Sequence, residues 1–371
     1  MSSLENISQQ KPHRFPCPGC GAVLVFEPGT THLACPYCGR TESIPQTVEQ
    51  VEERSYEEYL NPRSGQMGSM AQNAIEVQCN SCGATVTFTP PEVAGECSFC
   101  GAHIVAQPKS ADPMVAPEAV LPFKVTNQQA MADIKKWTST RWFAPNALKK
   151  MAYHEGVGGV YLPFWTYDAN TTSPYEGQRG EYYYVQETYV DTDSQGNRVT
   201  RTRQVRHTRW YSASGIVTRW FDDIIIPATK AVPLPRLNAL EPWDLASLTA
   251  YDPAYLSGYK AQRYQVDLPQ GFEQAKSIMA RQIEQDIRSD IGGDEQRIDR
   301  YATSYAAITF KHILLPVYLG AYRFKGKVYQ VMINAQTGEI QGDRPYSAWK
   351  ITLFVLFILI IIAIIIYLSR S

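Results

Sequence analysis

Apolar residues are grouped along this chain in three ways. Near the C-terminal end, Ile351 to Leu368 is an unbroken run of 18 residues without a charge, and only Thr352 and Tyr367 carry a polar group. As a helix rising 1.5 Å per residue, such a run covers roughly 27 Å, close to the hydrocarbon thickness of a bilayer. A core helix is the competing reading, but a helix apolar on every face needs protein on every side, which is hard to supply there. Trp349 and Lys350 flank one end, Tyr367 and Arg370 the other, as the aromatic and basic anchors of a span do at the interfaces. Residues 349–368 are expected to cross a membrane, with 369–371 as a tail.

The second grouping has helical periodicity. Phe272, Ala275, Met279, Ile283 and Ile287 form one stripe over Gly271 to Ile291, and Gly292 ends it. Asn127 is expected to cap a helix reaching Trp137, and Pro145 to Ala152 predicts another. The acidic stretch Glu49 to Glu58 predicts a short helix ahead of the loop Asn61-Pro62-Arg63-Ser64-Gly65.

The third grouping reads as strands. Gly159 to Tyr167 is an apolar run of strand length, buried on both faces. Tyr182 to Val190 and Arg198 to Tyr211 predict a hairpin around Asp193-Ser194-Gln195-Gly196-Asn197. Ile313 to Phe324 and Val328 to Asn334 predict strands joined at Lys325-Gly326-Lys327, followed by a turn over Asn334 to Glu339. Leu162-Pro163-Phe164-Trp165 is echoed by Leu315-Pro316-Val317-Tyr318, and more briefly by Leu121-Pro122-Phe123, which suggests a duplicated β unit.

These patterns predict an α+β chain. Its parts are a polar tail (1–14), two small four-cysteine zinc ribbons (15–45 and 75–106), an acidic helix and linker between them (46–74) and a second linker (107–119). A larger, mostly antiparallel β domain with helices (120–346) follows, and then the C-terminal transmembrane helix. Composition adds limits. With 35 Lys and Arg against 36 Asp and Glu, no global charge points to nucleic acid or acidic substrates, so any anionic partner needs a local patch. The 23 tyrosines, with 24 Pro and 24 Gly, favour strands and turns. Met1 to Arg14 has no apolar stretch of the secretory type, so the bulk of the chain is expected in the cytoplasm.

The ribbons rest on the cysteines. All eight fall into four CxxC pairs: Cys17/Cys20, Cys35/Cys38, Cys79/Cys82 and Cys97/Cys100. Disulfides are the alternative, but a reducing compartment disfavours them. Two thiolates on a tight turn grip one tetrahedral metal, and two such turns close a structural site of four sulfurs, which predicts two Zn2+ per chain. Each pair is followed by glycine (Gly21, Gly39, Gly83, Gly101), whose freedom at positive φ lets the backbone curl its N–H groups toward sulfur. The two sites repeat at an offset of 62 residues, with fourteen residues between the CxxC pairs in each and with Phe26 and Pro28 matched by Phe88 and Pro90. His32 and His103 lie nearby, but the repeat puts Ala94 and Thr41 at their counterparts, so neither is expected as a ligand. A closed site supplies folding energy rather than chemistry.

Arg198, Arg201, Arg203, Arg206 and Arg209 lie in one stretch without an acid, and strand alternation puts Arg201, Arg203, His207 and Arg209 on one face. That face is a candidate patch for an anionic ligand, either nucleic acid or lipid headgroups. A solvated hairpin balanced by acids elsewhere is the competing reading. No GxxxxGK[ST] loop, GxSxG elbow or HExxH motif occurs, so no enzyme is expected.

Three further stretches, taken with the ribbons, are family-like: Val160 to Asp168, then Phe221-Asp222-Asp223-Ile224, then Glu241-Pro242-Trp243-Asp244-Leu245 with Tyr251-Asp252 and Tyr255-Leu256-Ser257-Gly258-Tyr259. Through them nearly the whole chain resembles a family of bacterial membrane-anchored tandem zinc-ribbon proteins, labelled TFIIB-type zinc ribbon or primosomal-protein-N′-like. The helicase part of that label lacks its phosphate loop here. The family's association with SPFH (flotillin-like) and phage-shock-like proteins implies an adaptor. Such a protein would recruit a cytoplasmic, SPFH-type protein partner to the cell membrane, anchored by residues 351–368 as a single pass. Nucleic acid is the partner of the alternative reading.

Overall fold

The computed structural model describes residues 15–45, 51–60, 75–78, 85–88, 94–96, 103–105, 115–145, 157–192, 196–324 and 327–370. The chain is mixed α+β, built on a large, mainly antiparallel sheet, with an apolar helix at its C-terminal end. The N-terminal region contributes β1 (Val25–Phe26), β2 (His32–Ala34), β3 (Thr41–Ser43), β4 (Arg54–Ser55) and α1 (Tyr56–Leu60). Two hairpins follow, β5 (Ile75–Gln78) with β6 (Thr85–Phe88) and β7 (Ala94–Glu96) with β8 (His103–Val105). Then come β9 (Ala119–Val120), α2 (Asn127–Thr140), β10 (Gly158–Thr192), β11 (Arg198–Pro227), α3 (Leu234–Asn238), β12 (Thr249–Ala250), β13 (Lys260–Ala261) and α4 (Leu268–Ile291). The chain closes with β14 (Glu295–Tyr301), β15 (Ser304–Phe324), β16 (Lys327–Asn334), β17 (Ile340–Gly342) and α5 (Ala348–Arg370).

Strands β10 and β15 form the centre of the sheet, whose backbone path runs β11-β10-β15-β16-β17. Leu162 pairs with Leu315, so the two echoed Leu-Pro motifs lie antiparallel and side by side. The third echo joins them, because β9 runs parallel to β15 and the Leu121 N–H bonds the Leu314 carbonyl at 2.9 Å. Both faces here are covered. On one face α4 buries its stripe, Phe272 to Ile291, against Trp165, Tyr167, Phe221 and Phe310. Each such side chain contributes about 1.5–3 kcal/mol by leaving water. On the opposite face Leu162, Phe164, Ile313 and Leu315 meet Leu237, Leu240 and Trp243.

Several elements differ from expectation for local reasons. Thr126 rather than Asn127 caps α2, through a box in which the Gln129 N–H reaches the Thr126 hydroxyl at 3.2 Å and the Thr126 N–H reaches Gln129 Oε1 at 2.8 Å. Asp267 caps α4 ahead of the expected start, accepting the Gln270 N–H at 2.8 Å, with Pro269 in the first turn. Among its described residues, the acidic stretch is helical only from Tyr56, because Arg54 and Ser55 pair instead with Phe310 and Thr309 of β15. The predicted helix over Pro145 to Ala152 falls, past Pro145, outside the described residues. The hairpin is longer than its pattern suggests. Its ladder runs from Phe164 with Pro227 to Thr192 with Arg198, broken only by a bulge between Tyr167 and Ala169. Past Gly180, where β14 stops, the two strands extend about 40 Å as a two-stranded arm, at about 3.3 Å per residue.

The N-terminal Cys-rich unit is joined to this sheet. The Phe26 N–H bonds the Ser257 carbonyl at 2.9 Å, and the Ser257 hydroxyl donates to the Leu24 carbonyl at 2.6 Å. The Phe26 ring meets Tyr255 edge-on at 5.2 Å, in one core with Phe123, Tyr161 and Tyr318. Gly258 permits the approach. Its φ is +86°, and a Cβ there would lie 2.1 Å from Val25 Cγ1. Gly258→Ala should therefore lower stability by about 1–3 kcal/mol, through the left-handed backbone and the clash together. Val25→Ala in the same chain should restore part of that loss. Denaturant midpoints of the three variants check this, and an unaltered midpoint for Gly258→Ala would show that the contact does not form.

Candidate metal centre

Cys17 and Cys20 sit on the turn between Phe15 and Ala22, and Cys35 and Cys38 on the turn leaving β2. Each turn is closed by paired backbone bonds. The Cys17 N–H reaches the Ala22 carbonyl at 2.6 Å and the Gly21 N–H returns to the Cys17 carbonyl at 2.8 Å. Cys35 with Arg40 (2.8 Å) and Gly39 with Cys35 (3.0 Å) repeat the arrangement. Gly21 and Gly39 take φ of 75° and 73°, the curl expected from sequence. The turns bring all four Sγ atoms within 4.8 Å of one another, with Cys17 to Cys38 and Cys20 to Cys35 at 3.5 Å. Four thiolates on a tetrahedral metal at about 2.3 Å stand about 3.8 Å apart, so these sulfurs fit a closed four-coordinate ion.

The electrostatics point the same way. The Gly19 N–H, 3.4 Å from Cys17 Sγ, lowers the Cys17 thiol. The N–H groups of Cys38 and Tyr37 bring Cys35 down to about 6. The Ala22 N–H pulls Cys20 down, yet the thiols of Cys35, Cys38 and Cys17 push it up to about 12. Cys38 also rises, against the Arg40 N–H, through Cys17 and Cys35. Two sulfurs thus ionise easily and hold back the other two, and a cation releases all four. His32 is directed away, with Nε2 at 3.1 Å from Glu27, as its absence from the repeat suggests.

The second set, Cys79, Cys82, Cys97 and Cys100, lies outside the described residues, as do Gly83 and Gly101. The strands around it are described. Ala94 pairs with Val105 and Glu96 with His103, as His32 pairs with Ser43 and Ala34 with Thr41. The hairpin register therefore repeats at the same 62-residue offset as the cysteines.

The arginine patch lies on the arm, and the register places Arg201, Arg203, His207 and Arg209 on one face. That face also carries the opposing strand's Glu181, Glu187 and Asp191. Arg201 contacts Asp191 at 3.3 Å, Arg203 contacts Glu187 at 3.3 Å, and His207 lies 3.9 Å from Glu187. Arg209 lies over the Tyr183 ring at 5.0 Å. All of these groups are exposed, so each pair is weak, but the acids offset the local charge.

In sequence Asp222-Asp223 reads as a turn, cap or surface pair, but the fold gathers it with Asp168 and Glu53 into a carboxylate cluster. Asp168 on β10 faces two residues of β11, Asp222 and Asp223, and the next position faces two residues of β15, Ala307 and Ile308. Each bulge holds a non-glycine residue at a φ of 49°, Asp223 in one and Ala307 in the other. Asp168 Oδ1 accepts the Asp223 N–H at 2.6 Å, and Oδ2 accepts the Thr309 hydroxyl at 2.7 Å. Lys311 lies between Glu53 (3.1 Å) and Asp223 (2.7 Å). One carboxylate oxygen from each of Glu53, Asp168 and Asp222 falls within 4.8 Å of the others. The available signal was that Asp168 and Asp222-Asp223 both belong to stretches carrying the family resemblance, with Asp168 and Asp223 55 residues apart in the chain.

Burial raises the Asp168 carboxyl from its ordinary 3.8 to about 6. A raised folded value means that the folded state holds the proton more tightly. Stability from this group is full below about pH 4 and declines as pH rises through about 6. Asp168→Asn removes the titration and keeps an acceptor for the Asp223 N–H. Denaturant midpoints should favour the variant progressively between about pH 4 and pH 6 and hold a constant difference above about pH 7. Parallel curves across that range would refute the assignment.

Over 347 residues the chain is 26% identical to the uncharacterized protein YdjG of Bacillus subtilis (strain 168), and the match covers 91% of each chain. No family model matches the chain. No solved structure matches it.

Proposed function

We propose that this protein is a membrane-anchored zinc-ribbon adaptor that recruits a cytoplasmic protein partner to the membrane. The observation that carries the reading is the closed four-sulfur cluster of Cys17, Cys20, Cys35 and Cys38, fixed onto a sheet whose chain ends in a membrane-length apolar helix. A metal held by four thiolates has no open position for a substrate, so the unit serves as a rigid surface. Zinc, a tetrahedral ion without redox chemistry, suits four thiolates in this geometry. By the sequence repeat, Cys79, Cys82, Cys97 and Cys100 hold a second zinc.

In this reading α5 crosses the bilayer once and the larger N-terminal part lies in the cytoplasm, where reducing conditions keep the thiolates free. The ribbon face carrying Phe26 is occupied by the protein's own sheet, which leaves the knuckle edge for a partner. That edge exposes Pro18, Arg40 and Tyr37, the last at 83%. An SPFH-type scaffold is the partner that the family resemblance implies. Nucleic acid is disfavoured because Glu181, Glu187 and Asp191 accompany the arginines on the arm.

Freshly purified reduced protein should contain two zinc ions per chain, as the eight cysteines require. Cys17→Ser and Cys79→Ser should each leave one. Elemental analysis returning one metal or none for the unaltered chain would sink the tandem-ribbon reading. A partner captured from solubilised membranes should be lost on Tyr37→Ala with Arg40→Ala while zinc content is unchanged. Capture should persist when Arg201, Arg203 and Arg209 are replaced by Glu. The opposite pattern would place the interaction surface on the arm.

A further inference from the structure

The start of α5 is not free of the folded domain. The segment after α2, Arg141 to Pro145, lies beside it. The Ser347 N–H bonds the Phe143 carbonyl at 2.8 Å. The Lys350 ammonium donates to the carbonyls of Trp142 (3.1 Å) and Ala144 (2.8 Å). The Phe143 ring meets Phe354, one turn into the apolar run, edge-on at 5.4 Å. The 141–145 turn is therefore held at the level where the helix becomes apolar, and its depth is set by Phe354. At that level three large aromatic side chains are exposed: Trp142 at 73%, Trp349 at 71% and Tyr346 at 60%. Tryptophan and tyrosine at this height match the belt that membrane proteins place among the headgroups.

The same corner holds a cleft of about 560 Å³ between the end of α2 and the chain entering α5. Two arginines line it, Arg141 lying over the Trp137 ring at 5.1 Å and Arg344 over the Tyr346 ring at 5.4 Å. Among the described residues neither guanidinium has a carboxylate partner. The two acids of the cleft are engaged elsewhere, Asp343 by Arg236 and Glu339 by the Gln341 amide at 3.1 Å. Two guanidiniums stacked on aromatic rings, beside a basic residue at the head of a span, offer planar donors to a phosphodiester.

We propose that Arg141 to Pro145 and Arg344 to Trp349 form a second lipid contact. In it Trp142 and Phe143 enter the membrane interface beside α5, and Arg141 and Arg344 take the phosphate of an anionic phospholipid headgroup. This rests on the reading of α5 as a span, because continuity with the span is what assigns the occupant. A turn tied to the span by three hydrogen bonds and a ring contact fixes the tilt of the sheet, and so of the ribbon, relative to the bilayer.

The test uses the full chain in phosphatidylcholine vesicles that contain brominated phosphatidylcholine or brominated phosphatidylglycerol at equal mole fraction. Bromine quenches tryptophan only at the depth of the lipid. Trp142→Phe should remove roughly half of the quenched fluorescence and Trp349→Phe most of the remainder, since interface tryptophans alone sit at that depth. Quenching by the phosphatidylglycerol form should exceed that by the phosphatidylcholine form several-fold. That excess should vanish in Arg141→Gln with Arg344→Gln, each charge being worth about fivefold in local anionic lipid. Trp142 is exposed, so its replacement leaves the fold intact, which the thermal midpoint verifies. If Trp349 is quenched and Trp142 is not, the second contact is overturned and the span stands. Equal quenching by the two lipids in the unaltered chain overturns the headgroup assignment. If neither tryptophan is quenched, the membrane reading itself fails and this inference with it.

Discussion

The pairing of β10 with β15 is the constraint on which everything else depends. These two strands are apolar on both faces around Leu162 and Leu315, so neither face can be left to water and both edges must be hydrogen-bonded. That requirement accounts for the attachments. Strands β11, β13 and β14 pair with β10, while β4, β9 and β16 pair with β15. Helix α4 and the N-terminal Cys-rich unit cover one face, and α3 with the segment after β11 covers the other. Proline at the matching positions 163 and 316 is compatible with this crowded centre: the Pro163 carbonyl still accepts the Ala228 N–H at 3.0 Å, and the Pro316 carbonyl accepts the Ala335 N–H at 3.0 Å.

Where the chain buries apolar residues at a regular period, its structure could be read from the letters. The stripe of α4, the run Gly159 to Tyr167, the turn at Asn334 and the knuckle glycines all follow from local pattern, because burial or backbone conformation restricts those positions strongly. The first four cysteines were legible for the same reason, since metal geometry restricts spacing. The outer part of the hairpin, Tyr182 to Val190 with Arg198 to Tyr211, was legible, but its inner ladder was not, because Asn170, Ser173, Pro174 and Gly177 lower the strand propensity of that stretch. Pairing of Arg54 and Ser55 with β15 was invisible, as two residues carry no period.

The carboxylate cluster and the seat of the Cys-rich unit were hidden for a different reason. Asp168, Asp223, Lys311 and Glu53 meet only because two bulges shift the register of both neighbouring strands at one level. Register is a property of the folded sheet and is not visible in any one segment. Likewise, Ser257 and Gly258 resemble an ordinary turn until Phe26 is brought against Tyr255.

Because Cys17 and Cys35 belong to the same core as Phe123, Tyr161 and Tyr318, a metal held by these cysteines would be thermodynamically linked to the fold. Free energy released if the sulfurs close on an ion would not be confined to the N-terminal unit; it would be added to the cohesion of the sheet that leads into α5. Losing the ion would loosen the covering of Tyr161 and Tyr318 and raise the fraction of chains open to proteases. The abundance of the protein would then track the supply of free metal in its compartment, with no separate sensor required.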